Sequence, residues 1–183
     1  MRDTKSEVLR FWFEETKAAQ WFQKNESFDA DITERFMLTY EMAKKDLCAS
    51  WTKDVDGVLA LCIVLDQFPR NMFRGSPKAF ESDDKILLIV KEALHKGFDQ
   101  LLPPIKRRFF YMPFMHSENI EEQKRSVEMF ASMKKDDPLS YDYALKHFEV
   151  IEKFGRFSHR NEILGRKSTE EELHYLKIPG AGF

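Results

Sequence analysis

The chain has 183 residues, and its 29 lysines and arginines face 31 aspartates and glutamates, giving a formal net charge of −2. This balance excludes a strongly basic nucleic-acid binder and gives no electrostatic reason to expect binding to anionic membranes. With 43% hydrophobic residues the chain is predicted to fold, and its length predicts a single domain over residues 1–183. Seven glycines and seven prolines are few for this length, which favours long helices.

The cysteines and the N-terminus predict a cytoplasmic protein. Cys48 and Cys62 lie in apolar helical stretches, and two cysteines cannot make the disulfide framework of a small secreted protein. Residues 1–7 have mixed charge and lack the apolar core of a signal peptide. The longest apolar run, residues 57–65, is far shorter than the roughly 20 residues that span a bilayer. No membrane attachment is therefore expected.

In the first half of the chain, apolar residues recur at helical spacing. A first helix contains Val8, Phe11 and Trp12, and a second is predicted over residues 28–46. A third helix follows the polar break at residues 54–56. It is apolar on nearly all sides, so we expect it to be central. Pro69 is expected to kink this helix or restart it, because proline removes a helical hydrogen bond.

The second half continues in the same way. Helices are predicted from residue 83 to Gly97, over residues 105–111 with Pro113 closing the element, over 118–133 and over 139–154. Ser117 is the predicted N-cap of the 118–133 helix. A capping box at residues 168–171 predicts a last helix that ends near residue 176. No segment alternates with the period of a strand, so the predicted fold class is all-α, with stacked antiparallel helix pairs.

Three short segments place charged and polar side chains beside aromatic ones at the ends of predicted helices. They are residues 65–75, 111–118 and 154–161. Such boundaries, held by a rigid scaffold, are where ligand sites tend to occur. Because arginines and histidines outnumber carboxylates in them, we predict that they converge on one polar cavity. This cavity would bind, and could turn over, a small anionic or phosphorylated metabolite.

Each residue type in these segments suits a role at such a site. Arginine binds phosphate or carboxylate through two parallel hydrogen bonds, and histidine exchanges protons near neutral pH. The free N–H groups of a helix beginning after Ser117 would add anion donors. The candidate catalytic residues are His116, His159, Asp66 and Glu118. The candidate ligand-binding residues are Gln67, Arg70, Asn71, Arg74, Ser117, His147, Arg156, Arg160 and Asn161.

Structural alternatives exist for the same residues. Asp66 and Arg70 are spaced for an ion pair within one helix, and Arg156 and Arg160 are placed for salt bridges at a helix end. His147 fits a hydrogen-bonded histidine in the core. The histidines lack the spacing of a metal motif, so neither a metal nor a cofactor is predicted. No nucleophile motif is present, and whether the protein is an enzyme stays open at this point.

The strings LDQFPRNMFRG (65–75), HSEN (116–119) and FGRFSHRNEILGR (154–166), with VLRFWFEE near the N-terminus, resemble the bacterial domain-of-unknown-function family 924. The resemblance extends over residues 8–176. It implies a right-handed array of helix pairs related to the tetratricopeptide-repeat (TPR) superfamily, without repeats in the sequence, and no established activity. Where the family pattern has proline this chain has Ser158, which loosens the turn before His159. The resemblance also implies an alternative function: a non-catalytic scaffold that binds a peptide or protein partner in an outer groove.

Overall fold

A computed structural model describes residues 4–182, and their regular secondary structure consists of helices with no strand. The predicted all-α fold class is therefore confirmed. Within this range there are nine α-helices: α1 (Thr4–Arg10), α2 (Glu26–Lys44), α3 (Val55–Cys62), α4 (Phe68–Met72), α5 (Asp83–His95), α6 (Pro104–Met115), α7 (Ile120–Ser132), α8 (Pro138–Phe154) and α9 (Glu170–Tyr175). Residues 1–3, which belong to the N-terminal segment analysed above, and Phe183 lie outside the described residues.

The described residues form two compact units. Unit 1 comprises residues 4–74 and 78–113, and unit 2 comprises residues 75–77 and 114–182. The single domain expected over residues 1–183 stays a prediction. Among residues 4–182, none of the helices combines the length and the apolar character needed to cross a membrane.

Unit 1 is built around α3, as its nearly all-round apolar pattern predicts. Every residue of α3 from Gly57 to Cys62 is buried. Gly57 is required by a close approach of the chain, since a Cβ atom at this position would collide with the main-chain carbonyl of Trp51. Aromatic rings fill the neighbouring space, where Phe68 stacks on Phe36 with ring centroids 4.8 Å apart.

The chain stays helical through Pro69, and the interruption expected there takes the form of a wider π turn, Ile63–Gln67, between α3 and α4. Proline has no N–H to donate to the carbonyl four residues earlier. For Pro69 that carbonyl belongs to Leu65, and in the structure the Ser82 hydroxyl donates to it at 2.6 Å. The Arg70 side chain donates to the next carbonyl, that of Asp66, also at 2.6 Å. The Ser82 side chain thus takes the place of the main-chain bond that proline removes, and π turns of this kind often occur at functional sites.

Unit 2 contains the antiparallel pair α7 and α8, joined by a short connection. Ile120 at the start of α7 packs against Val150 and Ile151 near the end of α8. Gly155 ends α8 in the left-handed conformation, with φ 68°.

Two boundary predictions are wrong. Pro113 lies inside α6, which continues to Met115. The N-cap of α7 is Asn119, because its side chain accepts from the N–H groups of both Glu121 and Glu122, whereas the Ser117 hydroxyl accepts only from that of Asn119. The first N–H groups of α7 are therefore engaged by its own cap.

Candidate functional site

The π turn of unit 1 buries a polar network. Asp66 is only 1% exposed, and its carboxylate lies 3.2 Å from Nη1 of Arg70 and accepts from the amide of Gln67. Arg70 also donates to both carboxylate oxygens of Asp83, at 3.0 and 2.9 Å. Burial lowers the pKa of Arg70, but the charges of Asp66 and Asp83 outweigh it, and the pKa is raised. The Asp66–Arg70 ion pair recognised as the structural alternative is therefore present.

The other polar residues of this segment bind α2. Arg74 donates to both oxygens of Asp29 at 2.9 Å, and Asn71 donates to the same carboxylate at 2.8 Å. Carboxylates thus neutralise the guanidinium groups of Arg70 and Arg74. Their role as anion ligands stays a prediction.

In unit 2, an ion pair joins the segment before α7 to the loop after α8. Glu118 accepts from both arms of Arg166, at 2.6 and 2.9 Å, and from the N–H of Phe157 at 2.8 Å. Arg166 also donates to the side chain of Asn161 at 2.9 Å. Burial raises the pKa of Glu118, but these hydrogen bonds and the charges of Arg166 and Arg160 together outweigh it, so the pKa lies below its ordinary value.

A second carboxylate, Glu172 at 2% exposure, holds other residues of the same loop. It accepts from both arms of Arg156 at 2.7 Å, from the Ser158 hydroxyl at 3.1 Å and from the Asn161 amide at 3.2 Å. The hydrogen bond from Arg156, followed by those from Thr169, Asn161 and Ser158, lowers its pKa far below the ordinary value despite burial. Glu172 thus neutralises Arg156. This is a salt bridge at a helix end, as the structural alternative for Arg156 predicts.

Glu172 also forms the capping box of α9 together with Thr169. The sequence prediction placed this box one residue too early, at residues 168–171. Thr169 and Glu172 have the same Thr-x-x-Glu spacing as the signature, so the sequence contained the signal but did not distinguish the two registers.

Between these two anchors lies a group of basic side chains around one aromatic ring, which we call the Phe157 cluster. Around the buried Phe157 ring, the His147 centroid lies at 5.4 Å, the His159 centroid at 5.7 Å and the Arg160 guanidinium carbon at 4.5 Å. The fourth basic member, His116, has its ring centroid 6.2 Å from that of His147. Three imidazoles and one guanidinium therefore come together from three separate stretches of the chain.

His147 is held in one protonation form. Its Nδ1 lies 2.8 Å from the carbonyl oxygen of Tyr143, which can only accept, so Nδ1 carries the proton. Burial, then the charge of His116, and after it those of Arg160 and His159, lower the pKa of His147 to about 3. His147 is thus neutral at pH 7, and its depressed pKa reflects its burial first and the positive charge of its neighbours second. The Tyr143 contact is also the hydrogen bond expected of a core histidine.

The backbone that carries His116 is fixed from α7. The Gln123 amide donates to the carbonyl oxygens of Met115 and Ser117, the two neighbours of His116, each at 2.6 Å. The Gln123 side chain is fully buried. The position of His116 is therefore set by the packing of α7 as well as by its own segment.

The predicted site residues are distributed over both units. Unit 2 contains His116, Ser117, Glu118, His147, Arg156, His159, Arg160 and Asn161, and the contacts described above gather all of them except Ser117, whose bonds are to Asn119 and Gln123. Unit 1 brings together Asp66, Gln67, Arg70, Asn71 and Arg74. The convergence of all three segments on one cavity stays a prediction. In residues 4–182 no group of three or more His, Cys, Asp or Glu side chains is arranged to hold a metal ion.

Sequence reasoning missed the partners that set these positions: Asp29, Asp83, Gln123, Arg166 and Glu172. All of them are polar residues within ordinary amphipathic helices or loops. Glu172 had a local signal in its capping spacing, and Arg166 ends the string FGRFSHRNEILGR, but neither signal indicates the pairing partner.

Comparisons with known proteins agree with the resemblance drawn from the three strings. The model of the family described as "Bacterial protein of unknown function (DUF924)" matches residues 8–180. The chain belongs to this family. The solved structure of a protein of unknown function from Agrobacterium tumefaciens is 34% identical to this chain. The match covers 95% of this chain and 97% of that one, with a TM-score of 0.90. None of the curated proteins matches the sequence. The relation of this DUF924 chain to the TPR superfamily stays a prediction.

Proposed function

We propose that unit 2 binds a small anion, such as a phosphorylated or carboxylated metabolite, at the Phe157 cluster. The observation that supports this is the gathering of two imidazoles and one guanidinium around the Phe157 ring, with the third imidazole, His116, beside His147. The nearby carboxylates Glu118 and Glu172 form ion pairs with Arg166 and Arg156. An anion at the cluster would relieve the mutual repulsion of its basic groups.

The members of the cluster would act differently on such a ligand. Arg160 is always charged, and its guanidinium suits two-point contact with a phosphate or carboxylate. His116 and His159 would donate when protonated, which makes them the proton carriers if the ligand is turned over. His147, held neutral, would support the site without adding charge. The residues of the 66–74 segment are not part of this proposal.

Untargeted metabolite profiling of the natively purified protein tests the proposal. Wild type, His159→Gln and the control His174→Gln are purified in parallel, and bound compounds are released by denaturation. His174 is exposed on α9, where its ring contacts the Glu170 carbonyl. We expect an anionic metabolite enriched on wild type and on the control and depleted on His159→Gln. An identical profile on all three proteins would reject the site.

A second candidate function is partner binding by unit 1, and exposed apolar side chains on α2 favour it. Leu38 and Met42 lie one turn apart on α2, and Leu47 follows the helix; all three are exposed. Lys85 on α5 donates to the Lys44 carbonyl at the end of α2, and the exposed Leu88 lies one turn further along α5. Exposed apolar patches of this kind mark protein interaction sites.

Site-specific crosslinking in cells tests this second function. A photoreactive residue at position 42 is expected to capture one protein, and Leu38→Glu is expected to abolish that capture while the fold is retained. Leu101→Glu, at an exposed position outside α2 and α5, is the matched control. Crosslinks that survive Leu38→Glu, or the absence of any, would reject the partner surface.

A further inference from the structure

A cleft of about 350 Å³ lies beside α8 in unit 2, and we call it the α8 cleft. Its lining includes the apolar residues Val150, Phe154, Tyr175, Ile178 and Pro179. This volume lies at the lower end of the range of small-molecule sites.

Two aromatic rings line the α8 cleft. The centroids of Phe154 and Tyr175 lie 5.2 Å apart, and both residues pack against the Val150–Ile151–Phe157 core. Burial, together with the charge of Glu149, raises the pKa of Tyr175, so this ring is neutral at physiological pH. An apolar side chain of a ligand would therefore find a fixed aromatic surface here.

The charged residues of the α8 cleft differ in whether they form ion pairs. Lys153 forms an ion pair with Glu171 at 3.1 Å. Lys146 and Glu149 also line the cleft, three positions apart and so neighbours on the surface of α8. Within residues 4–182 neither of them forms an ion pair, and the ammonium of Lys146 lies 5.0 Å from the ring centroid of Tyr143. The cleft thus offers one cation and one carboxylate that are not engaged with each other.

We propose that the α8 cleft binds an apolar α-amino acid in its zwitterionic form. The ligand carboxylate would contact Lys146, its ammonium would contact Glu149, and its side chain would lie on Phe154 and Tyr175. A simple anion would be repelled by Glu149 and a simple cation by Lys146, whereas a zwitterion satisfies both. This site uses none of the residues of the Phe157 cluster, and it does not depend on the anion-binding proposal.

An NMR titration of the full chain tests the inference with three probes: L-leucine, N-acetyl-L-leucine, which lacks the ammonium, and L-leucinamide, which lacks the carboxylate. With L-leucine we expect saturable shifts at residues 146–154 and 175–181. Each blocked probe is expected to bind about tenfold more weakly, as the loss of one charged hydrogen bond predicts.

Charge-removing variants assign the contacts. In Glu149→Gln, L-leucine and N-acetyl-L-leucine are expected to bind equally, and in Lys146→Gln, L-leucine and L-leucinamide are expected to bind equally. Lys153 is paired with Glu171, so Lys153→Gln should keep the wild-type difference in affinity between L-leucine and the two blocked probes. Equal binding of all three probes by wild type, or no saturable shift up to about 50 mM L-leucine, would overturn the proposal.

Discussion

The guanidinium of Arg166 donates to both carboxylate oxygens of Glu118, with Nη1–Oε2 at 2.6 Å and Nη2–Oε1 at 2.9 Å. This pair connects the residues just before α7 with the loop after α8. Glu172 holds the same loop through Arg156. The loop that carries His159 and Arg160 is therefore anchored by two carboxylates, Glu118 and Glu172, which position both basic residues beside Phe157.

Removing the charge of Glu118 should loosen this anchor. We expect Glu118→Gln to lower the free energy of unfolding by about 1–3 kcal/mol, because it weakens a partly buried, two-armed ion pair. Glu121→Gln, which removes an exposed i,i+3 pair with Lys124, should cost less than about 0.5 kcal/mol. Urea denaturation measures both values. Equal effects of the two substitutions would show that Glu118 is not an anchor.

The two arginines of the 66–74 segment should differ in their effect on stability. Arg70→Ala leaves the buried Asp66 carboxylate without this partner, so we expect a loss of about 3–5 kcal/mol. Arg74→Ala removes a more exposed pair with Asp29 and should cost about 1 kcal/mol. Thermal and chemical unfolding compare the two variants. A loss at Arg74 as large as that at Arg70 would contradict this ranking.

His147 should make the protein less stable in mild acid. Its folded pKa of about 3 lies below the ordinary value of 6.5, so between these values the unfolded chain binds a proton that the folded chain does not. The stability that neutral His147 contributes is complete above pH 6.5. It is lost as the pH falls, by at most about 1.4 kcal/mol per pH unit.

His147→Gln tests this dependence, because glutamine does not titrate. Unfolding free energies between pH 6.5 and 5 should fall less steeply in this variant than in wild type. This pH window lies above the ordinary pKa values of carboxylates. A change of slope within it therefore reports the histidine and not Glu118 or Glu172. His174→Gln should retain the wild-type slope. If His147→Gln retains it as well, His147 is not the titrating group.

Gly57 is predicted to be intolerant of even the smallest side chain. The methyl group of Gly57→Ala would meet the Trp51 carbonyl, which belongs to the backbone and cannot move aside as a side chain does. We expect a loss of about 1–3 kcal/mol, the usual cost of overpacking. Gly182→Ala, where the nearest neighbour of the added Cβ is 3.7 Å away, should be neutral. A neutral Gly57→Ala in thermal unfolding would contradict the close approach.

The helices could be predicted from the sequence because their apolar residues recur with a period of 3.6, and the central position of α3 followed from its all-round apolar pattern. Pro69 signalled an interruption but not a π turn, since the compensating donor, Ser82, lies 13 residues further along the chain. At the start of α7, Ser117 and Asn119 are both good caps, and only the helix geometry selects Asn119.

The candidate site was harder to predict than the fold. The sequence showed which segments were rich in basic residues, but an excess of basic residues within a segment says nothing about partners elsewhere in the chain. Arg74 is neutralised by Asp29, 45 positions earlier, and Glu118 by Arg166, 48 positions later. His147 was placed correctly as a hydrogen-bonded residue from its spacing to Tyr143, because both lie on one helix.

The most direct measurement for the anion site is a sulfate titration followed by NMR at pH 6 and pH 8. Sulfate keeps its charge over this range, so any pH dependence comes from the protein. If the Phe157 cluster binds anions, saturable shifts should centre on residues 116, 147 and 157–160, and binding should weaken by about tenfold at pH 8 as imidazoles lose their protons. His159→Gln should weaken binding at pH 6, while His174→Gln should not. Chemical-shift changes that do not saturate, or that lie outside these residues, would contradict the anion site. So would a sulfate affinity that is the same at pH 6 and pH 8.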